Sequence, residues 1–191
     1  MTDFDFALGE TADMIRDSSR RFANDRIAPL AARIDADDWF PRALWPEMGE
    51  LGLHGITVEE ADGGLGLGHV EAGIVLEEIG RNLTPSPFLS TAVGAVTALK
   101  GASEPLRRRH LPAILAGESI AAIAIDEAAR HRPHHVGLRA ERSGNGFRLS
   151  GTKRFVPFGH VADLLIVAAR TSGAQLQIIA GALPGMVLLR P

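Results

Sequence analysis

The apolar positions are spaced as in helices up to about Gly117–Ser119 and as in strands after it. Leu8, Ile15 and Phe22 recur at a two-turn spacing with Met14 beside them, and the intervening Asp13, Arg16, Asp17, Arg20 and Arg21 are polar, which predicts an amphipathic helix. Leu44, Met48 and Leu51 predict a second helix. Pro41 suits its first turn, Asp38 is an available cap, Pro46 is a candidate irregularity and Gly52 a stop. Ala72, Val75, Leu76 and Ile79 share one face of a third helix. Phe88, Leu89, Ala92, Val93, Val96 and Leu99 repeat at three and four residues and form the clearest helical pattern of the chain. Ser103-Glu-Pro105 predicts the start of a last helix, with Leu106, His110, Leu111, Ile114 and Leu115 facing inward, Pro112 kinking it and Gly117 ending it.

Beyond residue 119, Ile120–Ile125 predicts a strand. Val136, Leu138 and Ala140 alternate with Arg139 and Glu141, and Ser143-Gly-Asn-Gly146 turns the chain into Phe147 and Leu149, the pattern of a hairpin. Leu164–Ala169 reads as a strand apolar on both faces, Thr171-Ser-Gly173 as a turn, and Gln175–Ala180 as an alternating strand. Helices followed by strands imply an α+β chain: an all-α bundle over residues 1–118 and an antiparallel β domain over 119–191.

Composition narrows the class. With 191 residues, 46% hydrophobic, 23% charged and a net charge of −3, the chain has the make-up of an ordinary globular protein. At this length roughly 70% of the unfolded surface can be buried, so no metal or disulfide is needed to hold a core. The charge balance suggests neither nucleic acid nor an anionic membrane as a partner. The absence of cysteine removes thiolate nucleophiles, disulfides and cysteine-based metal sites. The first ten residues carry acidic groups where a secretory leader has positive charge, and the longest apolar runs fall far short of the about 20 residues that span a bilayer as helix. The expectation is a cytoplasmic protein.

Candidate chemistry lies in the loops. Arg130-His-Arg-Pro-His-His135 brings three histidines together, but only Asp126 and Glu127 are nearby carboxylates and two arginines repel a cation, so no metal is expected. Arg130 and Arg132 could instead grip a phosphate. Arg107-Arg-Arg109 fans around a helical turn and reads as a solvated face. Trp39 and Trp45 read as anchors of the second helix. The glycine-rich Ala61–Gly68 stretch lacks the Lys-Ser or Lys-Thr of a phosphate cradle and reads as a tight interhelical loop.

Six segments, taken in order, resemble the acyl-CoA dehydrogenases: Phe40-Pro-Arg-Ala-Leu-Trp-Pro-Glu-Met-Gly-Glu-Leu-Gly-Leu-His-Gly-Ile-Thr-Val58, Gly63-Gly-Leu-Gly66, Leu76-Glu-Glu-Ile-Gly80, His110-Leu-Pro-Ala-Ile-Leu-Ala-Gly-Glu118, Gly151-Thr-Lys-Arg-Phe155 and Val161-Ala-Asp163. The resemblance implies a helical domain followed by part of a β-barrel domain, FAD as cofactor, an acyl-CoA thioester as substrate and an oligomer of like or unlike dehydrogenase-like chains. It implies removal of a proton next to the thioester and passage of a hydride to the flavin. In that family the base is a glutamate of a C-terminal domain, which would lie outside these 191 residues. The chain is thus expected to be a fragment, a truncated product or one half of a pair, and no catalytic base is assigned.

The same resemblance places flavin contacts at Ile125, Asp126, Phe155, Val156 and Pro157, and there the sequence departs from the family. Asp126 stands where a Thr or Ser hydroxyl would meet the flavin, and Pro157 where a second hydroxyl would lie, with loss of a backbone donor as well. Phe155 and Phe158 could pack on the isoalloxazine ring and Val156 could offer its amide. An altered but working flavin site and a partner subunit without its own flavin are the two expectations.

Overall fold

The structure, a computed structural model, describes residues 8–37, 41–144, 146–171, 176–182 and 185–188, with side chains as far as Thr171. Asp38, Trp39 and Phe40 lie outside the described residues, as do Asn145 of the hairpin turn and residues 172–175. Helix α1 spans Glu10–Phe22, passes through a π turn at Ala23–Ile27 and a 3-10 turn at Ala28–Leu30, and resumes as α2, Ala31–Asp37. Pro29, which has no N–H to donate, sits at the interruption. Phe22 is buried as its periodicity predicts, whereas Met14 is 68% exposed. Helix α1 packs on α4, His69–Gly80. Between them the carboxylate of Glu78, which is buried, takes the Arg20 guanidinium at 2.9 and 3.2 Å.

Helix α3, Leu44–Glu50, is followed by Gly52 in the left-handed region, φ 72°. Trp45 is the anchor the sequence suggests. It is buried, donates its indole N–H to the Ser119 carbonyl at 3.3 Å, and stacks on His54 with ring centroids 3.8 Å apart. His54 is fully buried and neither ring nitrogen has a hydrogen-bond partner. Burial pushes its pKa down to about 4; the Ile114 backbone opposes the shift but lies outside hydrogen-bonding geometry. The glycine-rich loop folds back on the 55–58 segment through Leu65 N–H to Gly55, Gly66 N–H to Val58 and Leu67 N–H to Ile56, at 2.9, 2.7 and 2.9 Å. This is the tight interhelical loop expected.

The strongest helical pattern becomes a π turn, Leu89–Ala95, running into α5, Val96–Lys100. Helix α6, Glu104–Leu115, continues through Pro112 and closes with Gly117 N–H on Ile114 and Glu118 N–H on Ala113, the double bond of a Schellman end. Gly117 has φ 72°, and a Cβ there would lie 2.6 Å from the Trp45 carbonyl oxygen and from Pro46 Cα. Only glycine lets α6 end against α3.

The described strands are β1 Ala121–Ala124, β2 Arg139–Ser143, β3 Gly146–Ser150, β4 Leu164–Arg170, β5 Leu176–Ala182 and β6 Gly185–Leu188. They form an open sheet in the order β3-β2-β4-β5-β6, with β1 also paired to β4. Strand β2 pairs antiparallel with β3 and β4 with β5, as the periodicity suggests, but the sheet is not antiparallel throughout, since β2 meets β4 in parallel at Arg139 opposite Arg170. Strand β1 also runs parallel to β4, from Ala121 opposite Leu164 to Ala124 opposite Val167. The hairpin and its flanking loops supply the long crossover that a parallel pair requires. Val136 and Leu138, read as strand, are buried in the loop before β2.

Bundle and sheet share a core in which Val58, Leu99 and Ile114 pack with Ala121, Leu164 and Ile166. Thr91, fully buried on the π turn, locks the two together. Its hydroxyl donates to the Ala121 carbonyl at 2.7 Å and accepts the Ala121 N–H at 3.1 Å. Arg42 and Asp163 add a second clip: Arg42 donates to the Val161 carbonyl and pairs with Asp163, whose carboxylate also accepts the Ile120 N–H at 2.9 Å.

Candidate functional site

Where β1 ends, Ile125, Asp126 and Glu127 continue toward the loop at 153–159, and the two segments are strapped together. Arg154 N–H donates to the Asp126 carbonyl at 2.7 Å. Lys153, its side chain almost wholly buried, donates to the Ile125 carbonyl at 2.9 Å and to the Glu127 carboxylate at 2.8 Å. Glu127 also accepts the Gly137 and Leu138 amides at 2.8 and 2.9 Å. Burial alone would raise its pKa, but Lys153 and the two amides outweigh it and hold the carboxyl below its usual range. With every donor answered, Glu127 is a strut.

Asp126 has a different partner. Its two carboxylate oxygens lie 2.9 and 3.0 Å from His131 Nδ1, and this bond holds Asp126 ionised below the usual range. An ionised carboxylate only accepts, so Nδ1 carries the proton. His131 belongs to the Arg-His loop, which thereby reaches back to the end of β1.

The 153–159 loop is unusual in its backbone. Phe155 and Phe158 take φ 52° and 56°, the left-handed region that bulky residues rarely enter and that costs on the order of 1–3 kcal/mol each. Phe155 is 68% exposed. Between them Val156 packs inward against the core, and Pro157, without an N–H, crosses the top of the turn closed by Gly159 N–H on Val156.

These pieces enclose one cavity of about 350 Å³. Ile125, Asp126 and His131 form one side, and Phe155, Pro157 and Phe158 another. Ile123 of β1 lies beneath, and the π turn closes the remaining side with Leu89, Ser90, Val93 and Gly94. Four of the five residues singled out from the sequence, Ile125, Asp126, Phe155 and Pro157, thus meet around one space, while the Val156 side chain is turned into the core. Sequence reasoning missed the helical wall. Its signal was surplus apolarity: Phe88, Ala92, Val96 and Leu99 already fill the core face, leaving Leu89, 59% exposed, and Val93 on a neighbouring face. Among the described residues no group of three or more His, Asp or Glu side chains is placed to hold a metal, and no helix is long and apolar enough to cross a membrane.

The profile of acyl-CoA dehydrogenase N-terminal domains matches residues 9–118. The chain is 36% identical over 172 residues to the mitochondrial isovaleryl-CoA dehydrogenase of Arabidopsis thaliana, covering 85% of this chain and 41% of that protein. It is 35% identical over 170 residues to the mitochondrial 2-methylacyl-CoA dehydrogenase of Solanum tuberosum, covering 86% and 41%. The fold superposes on glutaryl-coenzyme A dehydrogenase in its glutaryl-CoA complex with a TM-score of 0.84 at 27% identity, covering 94% of this chain and 48% of that one. The chain therefore spans about two fifths of the length of these curated relatives. On the profile match and this agreement of fold, the chain belongs to the acyl-CoA dehydrogenase family.

Proposed function

We propose that this chain supplies the flavin-facing part of an acyl-CoA dehydrogenase site and that the cavity takes the isoalloxazine ring of FAD. The observation that carries the reading is the convergence of two segments some thirty residues apart, 125–126 and 155–158, with the π turn on a single cavity. Its volume of about 350 Å³ lies at the small end of the range of roughly 300–1,000 Å³ seen for ligand sites, which suits a fused ring and leaves the rest of a dinucleotide along the surface. The lining suits flat aromatic faces: Ile125, Phe155, Pro157, Leu89 and Val93 are apolar, with Asp126 and His131 the polar edge.

Bound there, FAD would supply the hydride acceptor for α,β-dehydrogenation of an acyl-CoA. The chain's own residues bind and shield. Phe155 and Leu89, both exposed at the rim, keep water from a ring face; Lys153 and Glu127 fix the peptide that carries Asp126; Asp126 orients His131. On this reading the α-proton is taken by a base from a further segment or chain, and the site is completed in an oligomer.

A second reading, a non-catalytic dehydrogenase-like partner subunit, draws support from Asp126 and Pro157. An ionised Asp126 cannot donate and Pro157 has no N–H, so two donors are missing beside the cavity. Each lost bond to a buried group costs about 1–3 kcal/mol. The visible spectrum of the purified protein, with any co-purifying chain retained, decides. One flavin per copy supports the first reading; flavin only in proportion to a second chain supports the other.

A further inference from the structure

We infer that Asp126 sets how readily a flavin held in this cavity accepts a hydride: its carboxylate borders the ring with no donor to balance it and disfavours the negative charge that the ring gains on reduction. The inference rests on the flavin reading above and assigns a role to a charge that the reading leaves unused.

The charges around the cavity are few. Asp126 lines it, and both of its carboxylate oxygens lie within 3.0 Å of His131 Nδ1. With the proton of the neutral imidazole on Nδ1, Nε2 is a bare acceptor, so the pair offers a ligand only acceptors and carries one net negative charge. The neighbouring ion pair cancels itself, since Lys153 meets Glu127 at 2.8 Å. Ser90 on the π turn is uncharged, and its hydroxyl is donated to the Pro87 carbonyl at 3.0 Å. Arg130, Arg132 and Arg154 are exposed, where salt screens them, and the cationic side chains that act on Asp126 are His131 and Lys153. Ile125, Phe155 and Pro157 add only apolar surface.

Oxidised isoalloxazine is neutral. A hydride brings it two electrons and one proton, so the ring then carries one negative charge, spread over its pyrimidine part. A cavity of about 350 Å³ suits a single fused ring and leaves it no position remote from Asp126. Even at the effective dielectric of a protein surface, a unit charge a few ångström away shifts an equilibrium that creates a like charge by a factor of about ten or more. Packing of the ring against Ile125 and Phe155 also takes water from the carboxylate, which strengthens the repulsion. Asp126 thus admits the oxidised ring and opposes the reduced one.

The test uses the full chain with FAD bound and any co-purifying chain retained, at about pH 8.5, above the ordinary imidazole range. The native protein is compared with Asp126→Asn, which keeps the shape, and Asp126→Ala, which adds no donor. One readout is the two-electron reduction potential of the flavin against a reference dye. The other is sulfite affinity, followed as bleaching of the visible flavin band. Sulfite forms a bond from its sulfur lone pair to a ring nitrogen, the π pair of the adjoining C=N bond moves onto the ring, and the ring gains the same negative charge without a reductant. Both variants are expected to bind sulfite about tenfold more tightly than the native protein and to show a potential higher by about 30 mV, the same factor for a two-electron couple. A residue that merely supports the loop would leave both properties of the bound flavin unmoved. If native and variant proteins hold FAD with equal sulfite affinity and potential, the inference is overturned and the flavin site stands. A shift in Asp126→Asn alone would mark the new amide donor rather than the lost charge, and loss of FAD from both variants would make Asp126 a binding residue; either result also overturns the inference. If the native protein takes up no FAD, the inference and the flavin reading fall together.

Discussion

The environment of Trp45 and the environment of Phe155 follow opposite rules. Around Trp45 an aromatic ring is buried, its N–H is answered by the Ser119 carbonyl, and glycine stands at the one place where α6 must end against the chain. Around Phe155 an aromatic ring is exposed, its backbone is left-handed where glycine would be comfortable, and a proline and an ionised aspartate occupy positions that lack donors. The first region satisfies packing and hydrogen bonding within the chain. The second gives up local stability to strained backbone beside an open cavity, which is what the flavin reading proposed above requires of it. His54, stacked on Trp45, departs from the first rule, a buried polar ring without partners.

Four substitutions and one change of pH sharpen the contrast, beginning with the strongest. Arg20→Ala leaves the buried Glu78 carboxylate with only the longer 3.5 Å contact to Arg81, and should cost about 3 kcal/mol in denaturant unfolding because the carboxylate loses the closer of its two guanidinium partners. Lowering the pH should act through His54. Its pKa in the fold, about 4, lies below the ordinary 6.5, so the contribution is complete above about pH 6.5 and is lost as pH falls toward 4, amounting to about 3 kcal/mol. His54→Phe, which keeps a ring against Trp45, should flatten that part of the pH–stability curve. Thr91→Val removes both bonds to Ala121 and should cost about 2 kcal/mol, read as a lowered melting temperature. Phe155→Gly should do the reverse, raising stability by about 1 kcal/mol through relief of the left-handed backbone while weakening flavin retention. A fall in stability for Phe155→Gly would mean that the loop is held for packing.

Much of the bundle was legible because helical periodicity, proline and glycine punctuate it. Gly52 and Gly117 both take the left-handed conformation where the sequence places helix ends, and Leu44, Met48, Val75, Ile79, Leu111 and Ile114 are buried as their spacing implies. Periodicity tells which face is apolar and not what covers it, so Leu89 and Val93 read as core although they border a cavity. It is equally silent on the π turn, whose hydrogen bonds span one residue more than those of an α-helix, and on the direction of β1, which depends on a partner some forty residues away. In the site, Asp126 read as a lost flavin contact. Its pairing with His131 was hidden because Pro133 and two arginines made the loop look merely polar and basic. The resemblance to the family named the segments around 125–126 and 155–157; only the fold brings them to one cavity.

Whether these residues form a flavin site is tested most directly by the flavin content per copy of this chain in its natural assembly, from the visible spectrum and the protein concentration. One FAD per copy is expected. A protein free of flavin, or one whose flavin follows the amount of a second chain alone, would contradict it.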